Sequence, residues 1–357
     1  MKRSRMHIGL VFCLLILLLP PALHACTWYV NPEGTGDAPT IEAAVEDSSV
    51  AGDTVLVAAG TYYECDIRMK AGIVLVSEGG SAESVIIDGQ SIDRLFICDK
   101  CDSSTTIRGF TITNGQSFGV PGGRGGGMLC GWSSGLRIVN CDFIQNGADY
   151  GAGLYCQYSS PVLLNCRFIE NGGASEGGGI YCEASSPVLE YCILAGNSAG
   201  WGGGLCCSVI SAPVFLNCTL HGNHGHFVGG GIDCYGYSDP RLENTILAYS
   251  TAGGAIACDD GTSSPVLYCS DVFGNVGGDW TGCIEDQLGE NGNISADPRF
   301  CGADCGDFSV ESCSPCLPGN HPDGYECGGV IGAFGEGCSC GTVATPSTWG
   351  SIKALFR

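Results

Sequence analysis

Positive charge is scarce in this chain. Its 357 residues hold 15 Lys and Arg against 37 Asp and Glu, a formal charge of -22, and no lysine stands between Lys100 and Lys353. A field of that sign repels nucleic acid and other polyanions such as pectate. It leaves a neutral glycan, a surface protein or a cation as natural partners. Long apolar runs are also missing. Ile8 to Leu19, an apolar run of twelve, is too short to span a bilayer, and no later stretch is longer, so no transmembrane segment is expected. Helical periodicity is rare: apolar residues come in short bursts broken by glycine. The 58 glycines follow no Gly-X-Y period, which excludes collagen, and 44% hydrophobic residues exclude a disordered chain.

The N-terminus has an export pattern. Lys2, Arg3 and Arg5 precede the apolar run, Pro20-Pro21 ends it, and Ala25 is a small residue at a cleavage position. Residues 1–25 read as a signal peptide, whose removal takes the formal charge from -22 to -25. Cys26 follows directly, with Leu23 and Ala25 in lipobox positions. Soluble secretion and a lipid anchor at Cys26 both stay open, and either puts the protein outside the cell or on its outer surface. Cysteine usage agrees: of 25 cysteines, 24 remain once Cys13 leaves, an even number compatible with disulfides.

The centre of the chain repeats. Glycine triplets start at Gly125, Gly151, Gly177, Gly202, Gly229 and Gly253, spaced by 26, 26, 25, 27 and 24 residues. After each comes a cysteine: Cys130, Cys156, Cys182, Cys207, Cys234, Cys258. A second cysteine column is Cys141, Cys166, Cys192, Cys218 and Cys269, with Thr245 in the fifth unit. Ser-Pro turns fall between, as in Ser159-Ser160-Pro161. The bursts alternate with period two, so each unit is three short strands with one buried face and three turns. Units of this kind stack at strand spacing, about 4.8 Å per coil. The fold expected is all-β: a single-stranded right-handed parallel β-helix over 26–280. Met128, Leu154, Ile180, Leu205, Ile232 and Ile256 should point inward beside the cysteines.

Asparagine columns support the stacking. Asn140, Asn165, Asn217 and Asn244 form one, and Asn146, Asn171, Asn197, Asn223 and Asn275 the other. Asparagine tolerates left-handed turns, and stacked amides hydrogen-bond along a column. Ile41, Ala44 and Val45 lie at helical spacing after Pro39, where a helix would cap the open first coil. Residues 281–340 lose the repeat and hold eight cysteines, so they read as a disulfide-linked C-terminal cap. Side chains of the Cys130 to Cys258 column share one direction into the core, and most of that column should stay reduced as packing. Residues 341–357 read as a linker and a sorting tail.

These motifs resemble two known groups. Gly253-Gly254-Ala255-Ile256, and Phe143 to Asn146 and Phe168 to Asn171, resemble the Gly-Gly-apolar and Phe-x-x-Asn repeats of chlamydial polymorphic outer-membrane proteins. Gly52-Asp53-Thr54-Val55, Gly60-Thr61-Tyr62-Tyr63-Glu64, Asp297-Pro298 and Ile331-Gly332-Ala333 are similar to the opening and closing motifs of the pectin-lyase-like superfamily. The resemblance implies the β-helix; fold alone does not fix an activity. Gly60 to Glu64 matches the first pectin-methylesterase motif, but the later motif with its catalytic Asp is absent. The polygalacturonase Arg-Ile-Lys is absent too, and Asn223-His224-Gly225-His226 departs from its Gly-His-Gly. Pectate lyases need a basic residue, and the coils have almost none.

Candidate site residues remain on the strand after each glycine triplet. Tyr155, Gln157, Tyr181, Glu183 and Tyr235 form an outward set with Asp233 and Asp259. Stacked Tyr155 and Tyr181 rings would offer a platform to a sugar's apolar face, with carboxylates taking its hydroxyls. An ordinary solvated strand face has the same composition. Asp233, Asp259 and Asp260 are the alternative, a carboxylate set for cleaving a polysaccharide. His221, His224 and His226 have metal-turn spacing but lack convergent ligands, so no metal site and no cofactor is expected. The leading expectation is a non-catalytic secreted or cell-surface scaffold binding a glycan or surface partner. A glycan-cleaving hydrolase or lyase is the second reading, and a purely structural surface repeat the third.

Overall fold

The computed structural model describes residues 25–119, 122–132 and 135–341. The export segment and the tail from 342 onward lie outside the described residues.

Each coil follows one plan, shown by that of Gly151. Strands run Leu154–Gln157, Val162–Leu164 and Arg167–Ile169, followed by a short fourth, Ala174–Glu176. The first three pair in parallel with their counterparts one coil on: Leu154 opposes Ile180, Val162 opposes Val188, and Arg167 opposes Ile193. Repeated along the chain, this gives parallel sheets of 8, 10 and 9 strands among the described residues. We call the first, containing Leu154–Gln157, the groove sheet, and the last, containing Arg167–Ile169, the lateral sheet. The expected inward residues Met128, Leu154, Ile180, Leu205, Ile232 and Ile256 are all buried in one continuous core with Cys130 to Cys234 of the first cysteine column and Cys141 to Cys218 of the second. Phe143 and Phe168 stack inside it at 4.6 Å.

Two polar ladders keep the coils in register. The glycine triplets allow close approach: Gly151 is left-handed (φ 57°), and a Cβ there would lie 2.5 Å from the Leu154 carbonyl oxygen. On the turn after the groove sheet, Ser185 Oγ accepts from Ser159 N, and Ser211 Oγ from Ser185 N, both at 3.0 Å. The asparagine columns divide. Asn140, Asn165, Asn217 and Asn244 are left-handed, as expected. Asn146, Asn171, Asn197 and Asn223 are not; the preceding Gln145, Glu170, Gly196 and Gly222 take that conformation. The second column is instead a buried amide ladder. Asn171 Nδ2 donates to Asn197 Oδ1 (3.0 Å) and to the Phe143 carbonyl (2.9 Å), while its Oδ1 accepts from Asn146 N and Nδ2 (both 3.0 Å).

The N-terminal cap is a short α-turn, Ile41–Ala43, continued by a π-turn, Ala44–Ser48. Ile41, Ala44 and Val45 are buried by it. Thr40 Oγ1 accepts from Ala43 N, and both Glu64 oxygens accept from Ile41 N and Glu42 N at 2.9 Å. Glu64 therefore serves as a helix cap. Asp53 closes the first coil by accepting from Cys26 N, Val50 N and Trp28 Nε1.

The C-terminal segment is more than an end cap. Ile284, on the turn Gly282–Gln287, plugs the last coil with Trp280. The chain then turns back as a strap over the outer face of the lateral sheet. There Phe300, Ala303, Phe308 and Ala333 pack on Ile144, Ile169, Ile193 and Ala195. Ala333 N donates to Thr219 Oγ1 (3.0 Å), and Asn217 Nδ2 to the Val330 carbonyl (2.8 Å). A mostly apolar outer face on the lateral sheet is what makes this cover favourable.

The cysteines form the two expected populations, with two exceptions. Cys130, Cys156, Cys182, Cys207 and Cys234 are reduced and buried, as are Cys141, Cys166, Cys192 and Cys218. Disulfides join Cys301 to Cys338 and Cys313 to Cys340 within the strap. Cys258, the last member of the first column, bonds Cys283 of the end plug, and Cys269 bonds Cys327 of the strap. The register corrects the column here: Cys269 stands opposite Asn244 in the left-handed place (φ 46°), and buried Ser270 takes the cysteine place beside Thr245. Cys316 stays unbridged and buried. Among the described residues, no helix is long and apolar enough to cross a membrane.

Candidate binding groove

The outer face of the groove sheet carries a column set by strand register. Ile97, Leu129, Tyr155, Tyr181, Cys206, Asp233 and Ala257 occupy it on successive coils. A second column runs Asp99, Gly131, Gln157, Glu183 and Ser208. Beside the first stands a wall: Arg124, Tyr150, Glu176, Trp201 and Val228 pair in parallel, each immediately before a glycine triplet. Wall residues lean one coil forward. The Arg124 guanidinium lies 5.1 Å over the Tyr155 ring, and Tyr150 sets its edge on Tyr181 at 5.6 Å.

This wall changes the expected platform. Tyr155 and Tyr181 do stack, with centroids 5.4 Å apart and planes at 15°. They are only 1% and 6% exposed, however, because Arg124 and Tyr150 cover them. Their hydroxyls are committed within the protein. Tyr155 donates to Glu183, which also accepts from Gln157 Nε2 at 2.9 Å. Tyr181 shares hydrogen bonds with Ser208 and Tyr235, and Tyr235 donates to Glu176 at 2.7 Å. Burial and the neighbouring carboxylates push the Tyr155 and Tyr235 phenols up, so both stay protonated. Gln157, Glu183 and Tyr235 are half-buried and border solvent.

The exposed aromatic surface is one turn further along. Trp132 and Tyr158 are 55% and 48% exposed and stack at 5.2 Å with planes at 26°. Val209, Ile210 and Tyr237 continue this rim on later coils, also exposed. All five residues are left-handed, as is Ala184 between them. For bulky and β-branched residues that conformation costs of order 1–3 kcal/mol each. On the opposite rim Trp201 and Phe227 pack at 4.5 Å, with Phe227 well exposed. The groove thus has aromatic rims and a polar bed. Sequence reasoning missed both rims. The signals were there: the residue before each glycine triplet, and large apolar residues where turns usually hold Gly or Asn.

The three carboxylates of the alternative set sit in different surroundings. Asp233 is fully buried, with Oδ1 lacking any hydrogen-bond partner and Oδ2 3.9 Å from Cys206 Sγ. Burial, reinforced by Asp259, raises its carboxyl to about 7. Asp260 is committed to its turn, accepting from Gly236 N, Thr262 N and Thr262 Oγ1, which holds its carboxyl below the usual range. Asp259 and Asp260 are both exposed, and Asp259 stands on the edge of a recess of about 500 Å³ shared with Phe227 and Val228. The histidines also separate. His221 packs edge-on against Tyr249 and Phe300 under the strap, while His224 and His226 bond each other at 3.2 Å.

Among solved structures the chain is similar to the pectate lyase Pel9A, at 14% identity and a TM-score of 0.43, covering 70% of this chain and 64% of that one. It is also similar to a pectin methylesterase from Aspergillus niger, at 15% identity and a TM-score of 0.44, covering 77% and 91%. The chain therefore spans just under two thirds of the lyase's length. No curated protein matches the sequence. Residues 59–208 match the family described as "Right handed beta helix region", and the chain is a right-handed parallel β-helix.

Proposed function

We propose that this protein is a secreted or cell-surface scaffold that binds an extended glycan along the groove without cleaving it. The observation that carries the reading is the solvent-facing Trp132–Tyr158 stack beside the half-buried Gln157–Glu183 pair. Flat rings take the apolar face of a sugar, and an amide and a carboxylate take its hydroxyls. Coil spacing of about 4.8 Å repeats the rim along the axis, which suits a polymer. The left-handed cost at Trp132, Tyr158, Val209, Ile210 and Tyr237 points the same way, since observed strain of this kind concentrates at ligand sites.

Supporting a non-catalytic reading, Asp233 is sealed from solvent and Asp260 is committed to its turn. One observation favours cleavage instead: Asp233 holds its proton to about pH 7 near Asp259, as a general acid would. A glycan-array screen, with a reducing-end and unsaturated-product assay run in parallel, tests both. The proposal expects binding without product, weakened by Trp132→Ala and Tyr158→Ala. Turnover abolished by Asp259→Asn would replace it with the enzyme reading.

A further inference from the structure

The groove's arginines gather at one end. Its later coils carry Glu176, Glu183, Asp233 and Asp259. Its first coils carry Arg68, Arg94 and Arg124 together with Asp66, Asp93 and Asp99, in a chain where acids outnumber bases by more than two to one. A recess of about 520 Å³ opens at that end, lined in part by Arg68, Arg94, Gln116, Ser117 and Phe118. The Ser117 hydroxyl joins two of the arginines: Oγ accepts from Arg94 Nη2 (3.0 Å) and from the backbone N of Arg124 (3.2 Å).

Each acid of this recess has a partner, though only Asp66 is paired with a cation. Asp66 pairs with Arg68 at 2.7 Å, and Asp93 Oδ1 accepts from the Arg94 backbone N at 2.7 Å. Arg94 and Arg124 make no ion pair among the described residues. The half-buried Arg94 guanidinium donates there only to the neutral Ser117 hydroxyl. Among the described residues, the Arg124 side chain meets the Gln157 amide oxygen (3.4 Å) and the Tyr155 ring. A guanidinium offers five donors in a planar fork that matches a carboxylate, so most of the donors of Arg94 remain available toward the recess.

We propose that this recess is an anion subsite, taking the carboxylate of one acidic sugar at the N-terminal end of a glycan that is otherwise neutral. The assignment rests on the glycan reading of the groove but not on the aromatic rim. A uronate carboxylate would accept from Arg94, with Gln116 and Ser117 beside it and Phe118 against the ring. A polyuronate is disfavoured, because its further carboxylates would meet Glu183, Glu176 and Asp259.

The test follows arginine side-chain N–H resonances while methyl glucuronide, methyl glucoside, inorganic sulfate or polygalacturonate is added to the full chain. The glucuronide should shift the Arg94 and Arg124 signals, the glucoside should not, and polygalacturonate should bind more weakly per carboxylate. Arg94→Gln should weaken the glucuronide about tenfold or more, the loss of one charged hydrogen-bonding group. Arg124→Gln gives a second, more exposed probe should Arg94→Gln fold poorly. Trp132→Ala should leave these shifts intact; shifts that persist while glycan affinity is indifferent to Trp132 would keep the subsite and remove the groove reading. Response to sulfate alone would overturn the carboxylate assignment. Uniform shifts of all arginines, or shifts unchanged by both substitutions, would overturn the subsite itself.

Discussion

Replacing Asn171 by alanine removes the centre of the buried amide ladder. Four side-chain hydrogen bonds disappear: two accepted from Asn146 and two donated, to Asn197 and the Phe143 carbonyl. Asn171 is fully buried, so water cannot replace them. The Asn146 amide N–H and one Asn146 side-chain donor lose this acceptor. Each stranded buried group costs about 1–3 kcal/mol, so a loss of about 3–5 kcal/mol is expected. Asn165 is the control. It is exposed, donates to Asn140 Oδ1 at 3.0 Å, and is left-handed. Asn165→Ala should cost about 1 kcal/mol, mainly the left-handed backbone, and Asn165→Gly should recover most of it. Asn171→Gly should recover nothing, because Asn171 is not left-handed. Urea denaturation followed by far-ultraviolet circular dichroism measures all four variants. Equal losses at the two positions, or rescue of position 171 by glycine, would refute the ladder as the source of register.

Stability should also depend on pH through two buried carboxyls, Asp233 and Asp271, each raised to about 7 chiefly by burial. Both bind a proton more tightly folded than unfolded. Their contribution is complete below the ordinary carboxylate range and is lost as pH rises toward about 7. The melting temperature should therefore fall between pH 4 and pH 7, and Asp233→Asn should flatten the curve. Thiol labelling of unfolded, unreduced protein should mark Cys130, Cys156, Cys182, Cys207 and Cys234 and spare Cys258, Cys269, Cys283, Cys301, Cys313, Cys327, Cys338 and Cys340. Labels on the second set would contradict the pairing. Reduction should release the strap before the coils, each broken bridge costing about 2–4 kcal/mol, seen as early proteolysis between 300 and 340.

The coils were legible because every one repeats the same constraint. A glycine triplet, an inward apolar residue and a cysteine at fixed offsets leave one way to stack, and Met128 through Ile256 lie where the spacing puts them. The cap helix was legible because Ile41, Ala44 and Val45 keep a helical period. The strap was not, since Phe308 and Ala333 have no periodicity and find their partners more than a hundred residues away on the lateral sheet. The candidate site was half legible. Strand alternation places Tyr155 and Tyr181 on the outer face, but it cannot say that Arg124 and Tyr150 lie over them. Trp132 and Tyr158 were passed over because turns are usually read for Gly, Asn and Pro. An aromatic held in a left-handed turn violates the local rule, and such violations concentrate at functional sites.

The most direct test of the groove is calorimetric titration of the array's strongest glycan into wild-type protein and into the Trp132→Ala/Tyr158→Ala double variant. Two exposed aromatic contacts, each contributing about 0.5–1.5 kcal/mol, predict an affinity loss of about fivefold to a hundredfold with the fold retained. Equal affinity in the two proteins, or no glycan bound by the wild type, would contradict the account.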